Sequence, residues 1–147
     1  MTVRTNNPEN GVVQSSATRI KRLVIEWRHL VVNGATCERC GATGSEVRTA
    51  VDALTKELGA LGIKVVFKEI PLGTDQLEES NKILLNCKPL EGLIAGGVTE
   101  TPCSSCSTLT GTSACCRAVE VDNQQYEEIP AWLIKRAAYR AVGLREG

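Results

Sequence analysis

Apolar side chains recur along this chain in two rhythms, and their alternation outlines a fold. In "RLVIEWRHLVV", 22–32, apolar residues are broken by Glu26, Arg28 and His29, the pattern of a strand with part of one face open to water. Val47, Val51, Leu54, Leu58 and Leu61 then return at intervals of three and four, with Ala50 beside them, which predicts an amphipathic helix over 44–60. Gly59 and Gly62 mark its end. "IKVVFKEIPL", 63–72, is β-branched and reads as a second strand. Strand, helix and strand over 22–72 make a right-handed crossover with parallel strands.

Beyond it, "TDQLEESN" is a short helical or loop passage and "KILLNC", 82–87, a third strand. "PLEGLIAGG" fits an edge strand or a helical turn equally well. Residues 96–116 are Gly, Ser, Thr and Cys with almost no large apolar side chains, so this stretch cannot build a core. "RAVEVDNQQYEEIP" predicts a hairpin turning at Asp122–Asn123, and Pro130 opens a final helix over 131–144 at the position proline tolerates best. Residues 1–18 lack periodicity and read as a mobile tail, leaving 19–147 as a single domain with a Cys-rich insertion at about 96–116.

Charge adds mainly exclusions. Lysine plus arginine and aspartate plus glutamate number 17 each, so no net field holds nucleic acid or an anionic membrane. No apolar stretch approaches the roughly 20 residues that span a bilayer, and "MTVRTNNPEN" is not a signal peptide. The expectation is a soluble cytoplasmic protein with neither nucleic-acid nor membrane partner.

Cysteine changes the picture most. Seven are grouped as C-x-x-C at Cys37 and Cys40, a lone Cys87, C-x-x-C at Cys103 and Cys106, and the adjacent Cys115 and Cys116. In a reducing compartment this points to thiol or metal chemistry rather than a structural disulfide framework. Arg39 offers a cation that would favour a thiolate, and His29 a second. "TGSE", 43–46, has the form of a capping box, which would start the helix after Cys40 and leave both thiols off its first amides. The loop "CERCGATG", with two glycines, then suits a metal knuckle as well as a dithiol.

Cys103, Cys106, Cys115 and Cys116 could together hold zinc or an iron–sulfur cluster and so order their segment. A site pairing Cys37 and Cys40 with Cys103 and Cys106 would instead have to close over 62 intervening residues. Adjacent cysteines bridge each other poorly, because neighbouring Cα atoms are about 3.8 Å apart and disulfides want about 4.4–6.8 Å. Cys87, ending an apolar strand, reads as a small buried hydrophobe and His29 as a packed or surface residue. Glu26 and Glu69 read as solvated strand charges, and Trp27 and Trp132 as core or half-core aromatics.

The order strand, C-x-x-C, helix, parallel strand, third strand, hairpin and terminal helix is that of a thioredoxin-like α/β fold. "IEWRHL", "CERC", "SNKILLN" followed by "PLE", the second C-x-x-C, "CCR" and "YEEIP" followed by "LI" resemble a small prokaryotic family placed among thioredoxin-like proteins and defined by a domain of unknown function. Glu38–Arg39 stand where redox-active thioredoxins place Gly-Pro, and Ser80–Asn81 where they place a proline beside the dithiol. The resemblance implies fold and cysteine pattern.

Two function classes follow. In the first, favoured by the resemblance, the protein exchanges disulfides or captures a soft metal or metalloid; Cys37 attacks, Cys40 resolves, and the partner is a protein, a small thiol or a soft metal. In the second it is a non-catalytic zinc- or iron–sulfur-binding structural or interaction module. No Ser-His-Asp set, phosphate-cradling glycine loop or paired-carboxylate pattern supports hydrolase or nucleotide chemistry.

Overall fold

Strand β1 (Arg22–Leu30) buries Leu23, Ile25, Trp27 and His29 on one face, as its alternation demands. The computed structural model describes residues 20–36, 38–102, 107, 111 and 115–144. The 1–18 tail, Cys37, Cys103 and Cys106 lie outside the described residues. Helix α1 (Glu38–Gly59) buries Val47, Ala50, Leu54 and Leu58, the stripe its spacing predicts. Strand β2 (Lys64–Leu72) then pairs parallel with β1, from Arg22 opposite Lys64 to Leu30 opposite Leu72. This is the crossover expected over 22–72.

A 3-10 segment (Thr74–Glu79) leads to β3 (Lys82–Leu85), which pairs antiparallel with the other edge of β1. Strand β4 (Lys88–Pro89) folds back on β3, giving a mixed sheet of order β2-β1-β3-β4. The third strand therefore stops two residues short of Cys87. Asn86 and Cys87 form the turn, both at positive φ (51° and 68°), and Cys87 is exposed rather than a buried hydrophobe. Asn86 drives this: its Oδ1 accepts from Val24 N at 2.8 Å and its Nδ2 donates to Arg22 O at 3.1 Å. The amide thus extends the ladder with a side chain where the backbone turns away.

Helix α2 (Leu90–Leu93) settles the ambiguous "PLEGLIAGG". After it, β5 (Gly97–Pro102), β6 (Cys115–Val121) and β7 (Gln124–Tyr126) form a second, antiparallel sheet. The hairpin turns at Asp122–Asn123, where φ of 52° and 65° suits residues that tolerate the left-handed region. Part of the 96–116 segment, which cannot build a core of its own, is nevertheless strand. Residues 97–102 are held by strand pairing with β6, which needs backbone amides and carbonyls rather than large apolar side chains. Arg117, last of the Cys-Cys-Arg run, is buried and donates from Nη2 to Glu91 Oε2 at 2.7 Å, tying this sheet to α2.

The terminal helix α3 (Ala131–Ala141) follows Pro130 as predicted and buries Leu133, Ile134, Ala137, Ala138 and Ala141 against the common core. Trp132 stays nearly half exposed, with Tyr126 edge-on and Arg136 over its ring. The described residues make three α-helices in a mixed α/β fold, and none is long and apolar enough to cross a membrane.

Helix α1 begins at Glu38, six residues earlier than the capping-box reading placed it. Thr43 and Glu46 lie inside the helix and serve α3 instead: Ile129 N donates to Thr43 Oγ1 at 3.1 Å and Ala131 N to Glu46 Oε1 at 2.8 Å. Pro130 has no side-chain donor or acceptor for the amides that open α3, so α1 provides the acceptors. Gly41 and Gly44 are likewise helical. A Cβ at Gly44 would lie 2.3 Å from Trp27 Cη2.

Two predictions follow from α1. Gly44→Ala should destabilise the fold by about 1–3 kcal/mol by overpacking against Trp27, whereas Gly59→Ala, with open space around its Cβ, should be neutral or stabilising by about 0.5–1 kcal/mol. Urea unfolding of the two variants checks the contrast; equal effects would refute the tight contact. The second concerns Glu57, which accepts from Lys135 Nζ at 2.8 Å and Tyr139 Oη at 2.6 Å. The Lys135 bond first, then that from Tyr139, hold its carboxyl below the ordinary carboxylate range. A lowered folded value gives stability that is present above the unfolded pKa, about 4.3, and is lost as pH falls through the folded value. The site is over a third exposed, so the effect is screened to below about 1 kcal/mol. Glu57→Gln should lower stability near pH 7 and flatten its fall below about pH 4, measured by thermal melts across pH.

Candidate functional site

Residues 31–36, between β1 and α1, form a tight turn. Val32 and Ala35 bridge each other in both directions, at 2.8 and 3.0 Å, around Asn33–Gly34, both at positive φ. Asn-Gly between two paired residues is a strong local hairpin signal that the hydrophobic pattern alone does not reveal. Thr36 Oγ1 donates to Leu30 O at 2.7 Å, fixing the residue just before Cys37. His29 Nδ1 lies 3.2 Å from the same Thr36 Oγ1.

His29 is buried, stacks on Trp27 with ring centroids 4.0 Å apart, and places Nε2 2.8 Å from Glu69 Oε2. Glu69 also takes Arg48 Nη2 at 3.3 Å, and the Arg48 guanidinium lies over the Trp27 ring. Glu69 is exposed, as a solvated strand charge should be, and also orients the histidine. With both ring nitrogens occupied, His29 braces the turn and is not presented to a ligand.

Cys40 sits in the first turn of α1, fully buried. Its Sγ lies 3.2 Å from Ser80 Oγ, and that oxygen accepts from Leu30 N, also at 3.2 Å. Ser80 is buried too, at the corner between the 3-10 segment and β3. Asn81, at φ 64°, turns that corner and donates from Nδ2 to Glu127 O at 3.1 Å. Because the helix starts at Glu38, Cys40 lies within its first turn rather than ahead of it, where the capping-box reading placed it. The glycine-rich loop expected after Cys40 is likewise helix.

Cys115 and Cys116 open β6, opposite Pro102 and Thr101 on β5. Strand β6 packs against the 3-10 segment that leads to Ser80. Among the described residues no three His, Cys, Asp or Glu side chains cluster as a metal site would require. Ser80 and Thr36 are the site residues that sequence reasoning did not single out for a role. Ser80 stands where the resemblance places a proline, which was the available signal.

A family described as a domain of unknown function, DUF2703, matches residues 23–138, from β1 into α3. The chain belongs to that family. An uncharacterised protein of Archaeoglobus fulgidus is 41% identical over 117 residues, covering 77% of this chain and 82% of the relative. No solved structure matches the chain. The family match spans all the elements that bear on Cys40, Ser80 and His29.

Thr36→Val keeps the shape of the side chain and removes its hydroxyl. It should leave Leu30 O and His29 Nδ1 without their partner, cost about 1–3 kcal/mol, and speed amide exchange at Val32 and Ala35 relative to β3. Unchanged exchange in those two amides would show that the hydroxyl does not brace the turn.

Proposed function

We propose that this DUF2703 protein is a thiol-based redox protein of thioredoxin-like fold that works through Cys37 and Cys40. The observation that carries the reading is the position of Cys40, buried in the first turn of α1 at the end of the central strand, against a buried hydroxyl. The β1-α1-β2 crossover, a third strand, the β6-β7 hairpin and a terminal helix follow in the order the resemblance implies, which supports the reading. Cys37 directly precedes the helix in sequence, where free amides favour a thiolate.

In the proposed reaction the Cys37 thiolate attacks a disulfide of a protein or small-thiol partner. One partner sulfur leaves as thiolate and a mixed disulfide forms. Cys40 then attacks Cys37 Sγ, closing the Cys37–Cys40 disulfide and releasing the second partner sulfur. Two electrons pass to the partner, and the protons lost by the two cysteines end on its two thiols. The same pair, as thiolates, would suit a soft metal or metalloid as cargo.

One observation favours a second reading, a zinc- or iron–sulfur-binding module. The β5-β6 pairing sets the backbone of Cys115 and Cys116 opposite the residues that run directly into Cys103, so a local site with Cys103 and Cys106 needs only the mouth of one hairpin.

A redox titration of the full chain with thiol mapping decides between them. The redox reading expects a two-electron couple at Cys37 and Cys40 that either Cys37→Ser or Cys40→Ser abolishes. No couple there in any thiol buffer overturns it, and stoichiometric metal lost on replacing Cys103 and Cys106 with serine would establish the second reading.

A further inference from the structure

We propose that Ser80 is a positioning residue for Cys40: its hydroxyl donates to the Cys40 thiolate and sets how readily that sulfur ionises. The redox consequence rests on the disulfide-exchange reading above; the ionisation itself does not.

The hydrogen-bond inventory of the serine leads there. Ser80 Oγ accepts from Leu30 N, which occupies one lone pair and leaves the hydroxyl proton to be directed elsewhere. Cys40 Sγ is within reach at 3.2 Å. While Cys40 carries its proton, either atom can be the donor. Once it ionises, sulfur has only lone pairs, so the serine must donate. Both side chains are fully buried, and the low local dielectric strengthens a hydrogen bond made there.

The serine is held for the task. Leu30 N–H polarises the hydroxyl from one side, and Asn81, in the left-handed region with its amide on Glu127 O, fixes the corner from the other. Around this contact Glu69 takes His29 Nε2 and Arg48, Glu79 takes Arg28 and Lys82, and Arg28 also takes Glu26. Ser80 thus offers the Cys40 thiolate a neutral hydrogen-bond donor.

In the exchange reaction this matters at the resolving step. Cys40 as thiolate attacks Cys37 Sγ of the mixed disulfide; the Cys37–partner bond breaks, and the departing partner sulfur takes up the proton Cys40 has lost. Ser80 keeps its own proton throughout. Stabilising the reduced, thiolate-bearing state makes the couple more oxidising.

The test follows Cys40 ionisation by thiolate ultraviolet absorbance in the full chain, taking the difference from Cys40→Ala. Ser80→Ala should weaken acid dissociation of Cys40 about tenfold and move the Cys37–Cys40 potential about 30 mV more negative, the same tenfold factor; Ser80→Thr should restore both. Because Ser80→Ala also strips Leu30 N of its acceptor, a second measurement leaves residue 80 intact. The Leu30 amide resonance should titrate with Cys40 and lose that titration in Cys40→Ala. Unchanged Cys40 acidity in a folded Ser80→Ala variant, or a Leu30 amide blind to Cys40, overturns the proposal. A parent without a couple but with Ser80-dependent acidity would retain this inference and overturn the redox reading alone.

Discussion

The contact between Trp27 and Gly44 sets the height of α1 over the sheet. The far edge of the indole occupies the space a side chain at 44 would need, so the helix comes close to β1 at that point. Close packing of this kind fixes rotation as well as distance, because the interior has little room for rearrangement. With α1 seated at Gly44, Cys40 one turn earlier falls at the end of β1. The other face of the same indole stacks on His29, which braces the turn leading into Cys37. Core packing and the candidate site therefore share one side chain.

A second set of contacts ties the site to the C-terminal half. Glu127 O, Ile129 N and Ala131 N, three backbone groups at the entrance to α3, are met by Asn81 Nδ2, Thr43 Oγ1 and Glu46 Oε1. Two of those side chains lie on α1 just after Cys40, and the third is next to Ser80. The entrance of α3 is thus clamped by the two segments that hold the Cys40 sulfur. A shift of α1 relative to the Ser80 corner would have to break these side chain–backbone bonds at the entrance to α3, and the buried one from Ile129 N to Thr43 is costly to leave unmade.

Much of the fold was legible from local pattern. The crossover followed from a three-and-four spacing between two β-branched runs, the hairpin from Asp122–Asn123, and the last helix from Pro130, because each signal acts over a few residues. What failed was a signal whose partner lies far away. Thr43 and Glu46 have the spacing of a capping box, yet the amides they satisfy are 85 and 86 residues distant. Strand 97–102 has no apolar alternation, because its order comes from pairing with β6. Cys87 looked like the end of a strand, while the Asn86 side chain, bonded 62 and 64 residues back, had already turned the chain. Cys40 could be named from its motif, but Ser80 only from the corner the chain makes 40 residues later.

The two faces of Ser80 separate structural need from chemical need. Strand β3 begins at Lys82, opposite Arg28, so the ladder has no residue to receive Leu30 N on that side of β1. The serine oxygen fills the gap, and an acceptor there would be required whatever the cysteine does. The donor face has no such duty. Among the described residues its partner is the Cys40 sulfur, a group that behaves as a small hydrophobe when it is purely structural and asks for no hydroxyl. A buried hydroxyl carries a desolvation cost that one bond to Leu30 only partly offsets. The second bond closes that deficit best when the sulfur is charged, since hydrogen bonds to ionised groups are about twice as strong as neutral ones. On the proposal above, the corner at Ser80 is better satisfied by a thiolate than by a thiol, the state that the proposed resolving role of Cys40 requires.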